Sequence, residues 1–116
     1  MADYVYVKDQ ELSTMQFAWY DANNALLDLS TGYTFTAKLA TRDAPTTIVL
    51  SKTTGITGAA TSPNLTIDWA TTDFTALTAA GTTYVVWIYA RRTADSKDRV
   101  FNPANLPTLM LLTAPA

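Results

Sequence analysis

No cysteine and no histidine occur among the 116 residues. The first absence excludes disulfides and thiolate–metal sites, and with them any sign of redox compartment. The second removes the commonest metal ligand and the commonest general base, so neither a Ser-His-Asp nor a Cys-His arrangement can be built. Carboxylates are sparse, nine Asp and a single Glu. Charged residues make up 16% of the chain and the net charge is −2. A nucleic-acid binder would carry a basic stripe instead. The one basic cluster, Arg91, Arg92, Lys97 and Arg99, is interrupted by Asp95 and Asp98. Glycines number four and form no phosphate-cradling motif. No run of apolar residues is long enough to span a bilayer as a helix. The opening MADYVYVKDQE has acidic residues and no apolar core, so a secretory signal is not expected.

What is present is a chain 48% apolar, enough for one domain over residues 1–116 to bury a core without disulfide or metal. Thr (21) and Ala (18) dominate. Thr is β-branched and polar, which suits the solvent face of strands. Short alternating runs follow one another. Residues 4–7 make a first strand. In 12–20, Met15, Phe17 and Trp19 share one face. Asp21 to Asn24 is a turn, and residues 26–29 are an apolar link. Gly32 opens a strand with Phe35, Ala37 and Leu39 inward and Thr34, Thr36 and Lys38 outward. Arg42 to Pro45 is a turn. Residues 46–52 form a strand with Ile48 and Leu50 inward, and 53–63 read as a loop or loose hairpin. In 64–69, Leu65, Ile67 and Trp69 face in. Residues 71–80 fit one or two helical turns, capped by Thr72 or Asp73 and ended by Gly81. A long strand fills 82–91, a polar hairpin turn 92–98, a Pro/Asn kink 102–107, and a last strand 108–112. Seven to nine short strands at this spacing predict an all-β, antiparallel β-sandwich with one short helical turn.

The long strand is the most informative segment. Tyr84, Val86, Ile88 and Ala90 alternate with Val85, Trp87 and Tyr89, so both faces are apolar. A strand in a small antiparallel domain needs only one such face. The other requires cover from elsewhere in the chain or from a partner. Aromatics and Arg are enriched at interfaces, and Arg91 continues the same face. The expected partner surface is therefore Val85, Trp87, Tyr89 and Arg91, together with Leu109, Met110, Leu111 and Leu112 of the last strand. That last run is apolar on both faces and could be added to a neighbour's sheet edge or could close the domain's own sheet.

The order of segments resembles a known family. A strand pair leads to a D-x-N-N turn (Asp21 to Asn24). The link Leu26-Leu27-Asp28-Leu29-Ser30 precedes the Phe35-bearing strand. L-T-I-D-W (65–69), the turn 72–77, Ala80-Gly81 and a Tyr84-led strand then follow. This layout, over roughly residues 10–102, resembles the immunoglobulin-like N-terminal domain of tailed-phage baseplate upper proteins and related phage virion domains. The resemblance implies an immunoglobulin-like sandwich and a structural role in a virion. It also implies partners among tail, baseplate or major capsid proteins, in a homo-oligomeric or multi-copy assembly. The protein would be made in the bacterial host cytoplasm and located in the virion. The length suits a small stand-alone protein, a tail or head–tail accessory or a capsid decoration protein.

Chemistry finds little to work with. Asp73 reads as a cap, and Asp21 and Asp28 as turn residues. A calcium site from Asp95 and Asp98 lacks the spacing of a recognised loop. No catalytic, cofactor or metal residues are expected, and no nucleic acid or membrane partner. The alternative from another class is a glycan-binding host-attachment module. It requires an exposed Trp/Tyr pair flanked by Asp, Asn or Arg.

Overall fold

β-Branched and aromatic residues recur with period two along this chain, and in the computed structural model those runs pair into two sheets. The structure describes residues 4–7, 14–70, 72–74, 77, 81–101 and 103–112. Nine strands lie among them: β1 (Tyr4–Val7), β2 (Met15–Phe17), β3 (Tyr33–Thr41), β4 (Ile48–Lys52), β5 (Ile56–Gly58), β6 (Leu65–Ile67), β7 (Thr82–Arg92), β8 (Lys97–Val100) and β9 (Thr108–Leu112). A six-stranded sheet has the order β1-β9-β7-β3-β4, with β8 also paired to β7. A three-stranded antiparallel sheet has the order β2-β6-β5.

β7 organises the larger sheet. Along one edge it pairs with the whole of β3, from Thr41↔Tyr84 to Tyr33↔Arg92. Along the other edge it is shared. β9 pairs with Thr82–Val85 and β8 with Tyr89–Arg92. Between them the Val86 N–H donates to the Pro107 carbonyl (2.8 Å) and the Phe101 N–H to the Ile88 carbonyl (2.9 Å). The returning chain is split in two because proline cannot donate to a ladder, and Pro103 and Pro107 stand in the break.

Inward residues of both sheets share one hydrophobic cluster. The large sheet contributes Tyr6, Ala37, Leu39, Tyr84, Val86, Ile88, Leu109 and Leu111; the small one contributes Met15, Leu65 and Ile67. Connecting segments add Trp19, Leu29, Trp69, Phe74 and Phe101. Phe74 packs on Trp69 (ring centroids 5.0 Å apart), and Phe101 on Phe17 (5.1 Å) and Trp19 (5.3 Å). Aromatic pairs at such separations add to the stabilisation from burial alone.

Among the described residues, two polar ones, Asn64 and Lys52, are buried within this core. Asn64 accepts from the Trp19 N–H (2.7 Å) and donates to the carbonyls of Trp19 (2.9 Å) and Leu27 (2.8 Å). It fastens the Trp19–Leu27 excursion, closed by the Tyr20↔Leu26 bridge, to the segment entering β6. The inward-facing Lys52 ends β4, where its Nζ lies 2.8 Å from Asp73 Oδ2 and 5.4 Å from the Trp69 ring centroid.

Several expectations are corrected. The large sheet is mixed rather than antiparallel, because β1 runs parallel to β9. No helix occurs among the described residues: 72–74 form a turn, and the Asp73 carboxylate accepts from the Ala70 N–H (2.8 Å). Residues 71, 75, 76 and 78–80 of the expected helical segment lie outside the described residues. Ile48 points outward. The ladder steps from Leu39↔Leu50 to Ala40↔Ile48, so Val49 is bulged out and the face reverses. Of the loop or loose hairpin expected over 53–63, the hairpin is found: β5 pairs antiparallel with β6, and its Gly58 approaches the Leu29 carbonyl and lies against Phe35, where a Cβ would stand 2.7 Å from Phe35 Cζ.

Candidate partner interface

Strand parity decides which side chains the large sheet turns away from the core. On β7 these are Thr83, Val85, Trp87, Tyr89 and Arg91. Register places their outward neighbours. Thr83 lies opposite Met110, and Val85 lies between Ala40 and Thr108. Trp87 stands beside Lys38, Tyr89 between Thr36 and Val100, and Arg91 between Thr34 and Asp98. β1 extends the face with Val5 opposite Met110 and Val7 opposite Leu112. A band of apolar and aromatic residues thus crosses the sheet from Val5 and Val7 through Met110 and Leu112 to Trp87, Tyr89 and Val100. Val5 is 56% exposed, and most of the others are half-buried.

The expected interface residues separate accordingly. Trp87, Tyr89, Arg91, Met110 and Leu112 lie on this outward face and are solvent-accessible. Leu109 and Leu111 do not. Both are fully buried in the core, since β9 obeys the same alternation as its neighbours and can turn only every second residue outward. Val85 has outward parity but is buried at 7% exposure. Of the two roles open to Leu109–Leu112, the strand closes the domain's own sheet. β9 is flanked by β1 and β7, so both of its edges are already paired. The terminal strands of the large sheet are β1 and β4, and Val5, Ile48 and Val49 are exposed there.

Trp87 is held in place. Its indole N–H donates to the Pro45 carbonyl (2.7 Å), drawing the β3–β4 turn towards the sheet. That turn is closed by Ala44 N–H to Thr41 O (3.1 Å) and Thr47 N–H to Ala44 O (3.0 Å). At the far end of the face, Arg91 binds Asp98 through two hydrogen bonds, Nε–Oδ1 (2.9 Å) and Nη2–Oδ2 (3.1 Å). The hydrogen bond to Arg91 pulls the Asp98 carboxyl below its ordinary pKa, with smaller attraction from Arg91 and Lys38, and Asp98 in turn raises Arg91. Lys38 Nζ lies 5.1 Å from the centroid of the Tyr89 ring. Thr34, Thr36, Lys38, Tyr89, Arg91 and Asp98 line an open depression of about 300 Å³.

Elsewhere the carboxylates serve local structure. Asp21 accepts from the Asn23 N–H (2.8 Å) and the Ala25 N–H (3.0 Å). The Ser30 hydroxyl and N–H hold Asp28 below its ordinary pKa. Asp95 pairs with Arg92 (3.6 Å), so Asp95 and Asp98 each already face an arginine. Among the described residues no group of three or more Asp or Glu converges as a metal site would require.

Lys38 and the β1 residues Val5 and Val7 belong to this face without having been singled out as partner residues. The alternation of β3 already turned Lys38 outward in the sequence. Nothing local could have placed β1 beside β9, because that pairing joins the two ends of the chain. Comparison of the chain with protein-family models, with curated proteins and with solved structures finds no match.

Proposed function

We propose that this chain is a structural, non-enzymatic component of a tailed-phage virion, built as an immunoglobulin-like β-sandwich. It is a small tail, baseplate or head–tail accessory protein, present in several copies. The observation that carries the reading is the outward face of the six-stranded sheet. Two sheets share one core, which satisfies the inward sides, and yet a second apolar and aromatic band crosses the large sheet's other side. Contiguous exposed apolar surface on a small domain marks an interaction site. Trp, Tyr and Arg anchors are the residue types that dominate such contacts. The layout shared with phage baseplate domains supplies the virion context.

A glycan module is less well supported by the same residues. A sugar platform needs a free aromatic ring face. Tyr89 has the Lys38 ammonium over its ring, and Trp87 is tied to the turn at Pro45.

Quantitative mass spectrometry of purified particles tests the reading. A few copies per particle, in multiples of three or six, are expected for a tail or baseplate protein. Hundreds of copies in fixed ratio to the major capsid protein would instead make it a capsid decoration protein. Absence from the particle would overturn the virion reading altogether.

A further inference from the structure

Among the described residues of the outward face, Lys38 is a cation with no carboxylate in contact and only a weak attraction from Asp98. Lys52, Arg91 and Arg92 each face an aspartate. Arg42, Lys97 and Arg99 are exposed to water. Lys38 is half-buried in the sheet's outer surface, flanked across the ladder by Trp87 and Ser51, and has no carboxylate within 4.0 Å among the described residues. Its ammonium rests on the Tyr89 ring, a contact worth more once water is removed. The depression it lines holds two cations, Lys38 and Arg91, against the single carboxylate of Asp98. Covering this face with a purely apolar partner would strip water from Lys38 and leave it only the Tyr89 ring and an Asp98 already bound to Arg91, which is unfavourable.

We propose that the partner docking on this face is a protein surface that presents an Asp or Glu side chain, flanked by apolar residues, to Lys38. The flanking residues lie along Trp87 and the Met110–Leu112 side. The carboxylate enters the depression and accepts from the Lys38 ammonium and from the hydroxyls of Thr34 and Thr36. A second copy docked through the same patch does not meet this need. A two-fold contact sets the patch against itself, and the patch's own carboxylate, Asp98, is already bound to Arg91. Asp43 lies in the β3–β4 turn, lining a separate depression with Thr83 and Met110. The proposal rests on the interface reading above and names the chemistry of the partner.

The test is an NMR titration of the full, isotopically labelled chain with the peptide Ac-Val-Phe-Glu-Val-NH2, its Gln counterpart, and a glucuronate tetrasaccharide. The Glu peptide is expected to shift the amides of 34–38 and 87–91 saturably. It should bind about five-fold more tightly than the Gln peptide, as one partly exposed charge pair allows. Lys38→Met should abolish that preference without altering the thermal midpoint of the free chain. Equal affinity for the two peptides, shifts confined to other surfaces, or binding of the saccharide alone would overturn the proposal. So would a preference that survives Lys38→Met, or a concentration-dependent dimer that is lost with Asp43→Asn. A Lys38→Met protein that enters particles normally, while Met110→Asp does not, would overturn the charge pairing and leave the interface reading standing.

Discussion

Asn64 shows how one side chain holds two distant segments together. It sits in the core with every polar atom engaged, two bonds to Trp19 and one to Leu27. Replacing it by Ala would take the partner from the buried Trp19 N–H and from the part-buried Leu27 carbonyl, while the Trp19 carbonyl would keep the Leu27 N–H (3.0 Å). Each such group costs about 1–3 kcal/mol. Asn64→Ala is therefore expected to lose about 3 kcal/mol of stability in urea unfolding, and Asn64→Asp no less, because a buried carboxylate would set an acceptor against the Trp19 and Leu27 carbonyls that the amide now donates to. A loss under about 1 kcal/mol would mean that water replaces the amide. Asp98 is the opposite case, exposed and local. Its hydrogen bond with Arg91 depresses the folded-state pKa. The contribution to stability is therefore present above the ordinary Asp pKa and is lost as pH falls through the lower folded value. It is small because both groups face solvent. NMR titration should give Asp98 a lower midpoint in the native chain than in Arg91→Gln; equal midpoints would remove the pair from the account.

Adjacent residues of a single strand meet opposite fates in β9. Leu111 is fully buried in the core, whereas Met110 stands half-buried on the outward face opposite Val5 and Thr83. Leu111→Asp places an unpaired charge among Tyr6 and its core neighbours, and is expected to unfold the chain or cost roughly 4 kcal/mol or more. Met110→Asp should change stability by no more than about 1 kcal/mol, while blocking entry into particles. Thermal melts followed by circular dichroism, beside particle incorporation, check both. A folded Leu111→Asp chain, or normal incorporation of Met110→Asp, would contradict the assignment of faces. β4 makes a related point. Its bulge at Val49 puts Ile48 on the outer face and leaves an apolar edge, and a bulged edge strand pairs less readily with a neighbouring sheet.

At the scale of the whole molecule, both sheets draw on one hydrophobic cluster, and among the described residues neither has a second core to fall back on. Unfolding is therefore expected to be a single cooperative transition. Trp19 and Trp69 lie in the core and Trp87 on the outer face. Tryptophan fluorescence and far-ultraviolet circular dichroism should report the same midpoint; two separated transitions would mean that the three-stranded sheet melts independently. The arrangement leaves one side of the large sheet outside the shared core, and this is where the apolar band, the Trp87–Pro45 tether and the half-buried Lys38 come together.

Much of this was legible in the chain itself. Period-two alternation located β2, β3, β4, β6 and β7 and placed Met15, Trp19, Leu65, Ile67 and Trp69 inside, because burial on one face writes that period directly into residue order. The same alternation marked Trp87 and Tyr89 as a second apolar face. Other features depended on long-range pairing, which no local pattern encodes. β5 is too short and glycine-containing to announce itself. The bulge that turns Ile48 outward exists only against β3. A run such as Leu109–Leu112, apolar throughout, has no alternation to say which residues face the core. Its burial was settled when β9 was enclosed between β7 and a parallel β1. Residue order thus determined the strands and most of their faces. Tertiary structure decided which strand edges were consumed and which face remained open, because those depend on the hydrogen-bonding partners that each strand finds across the fold.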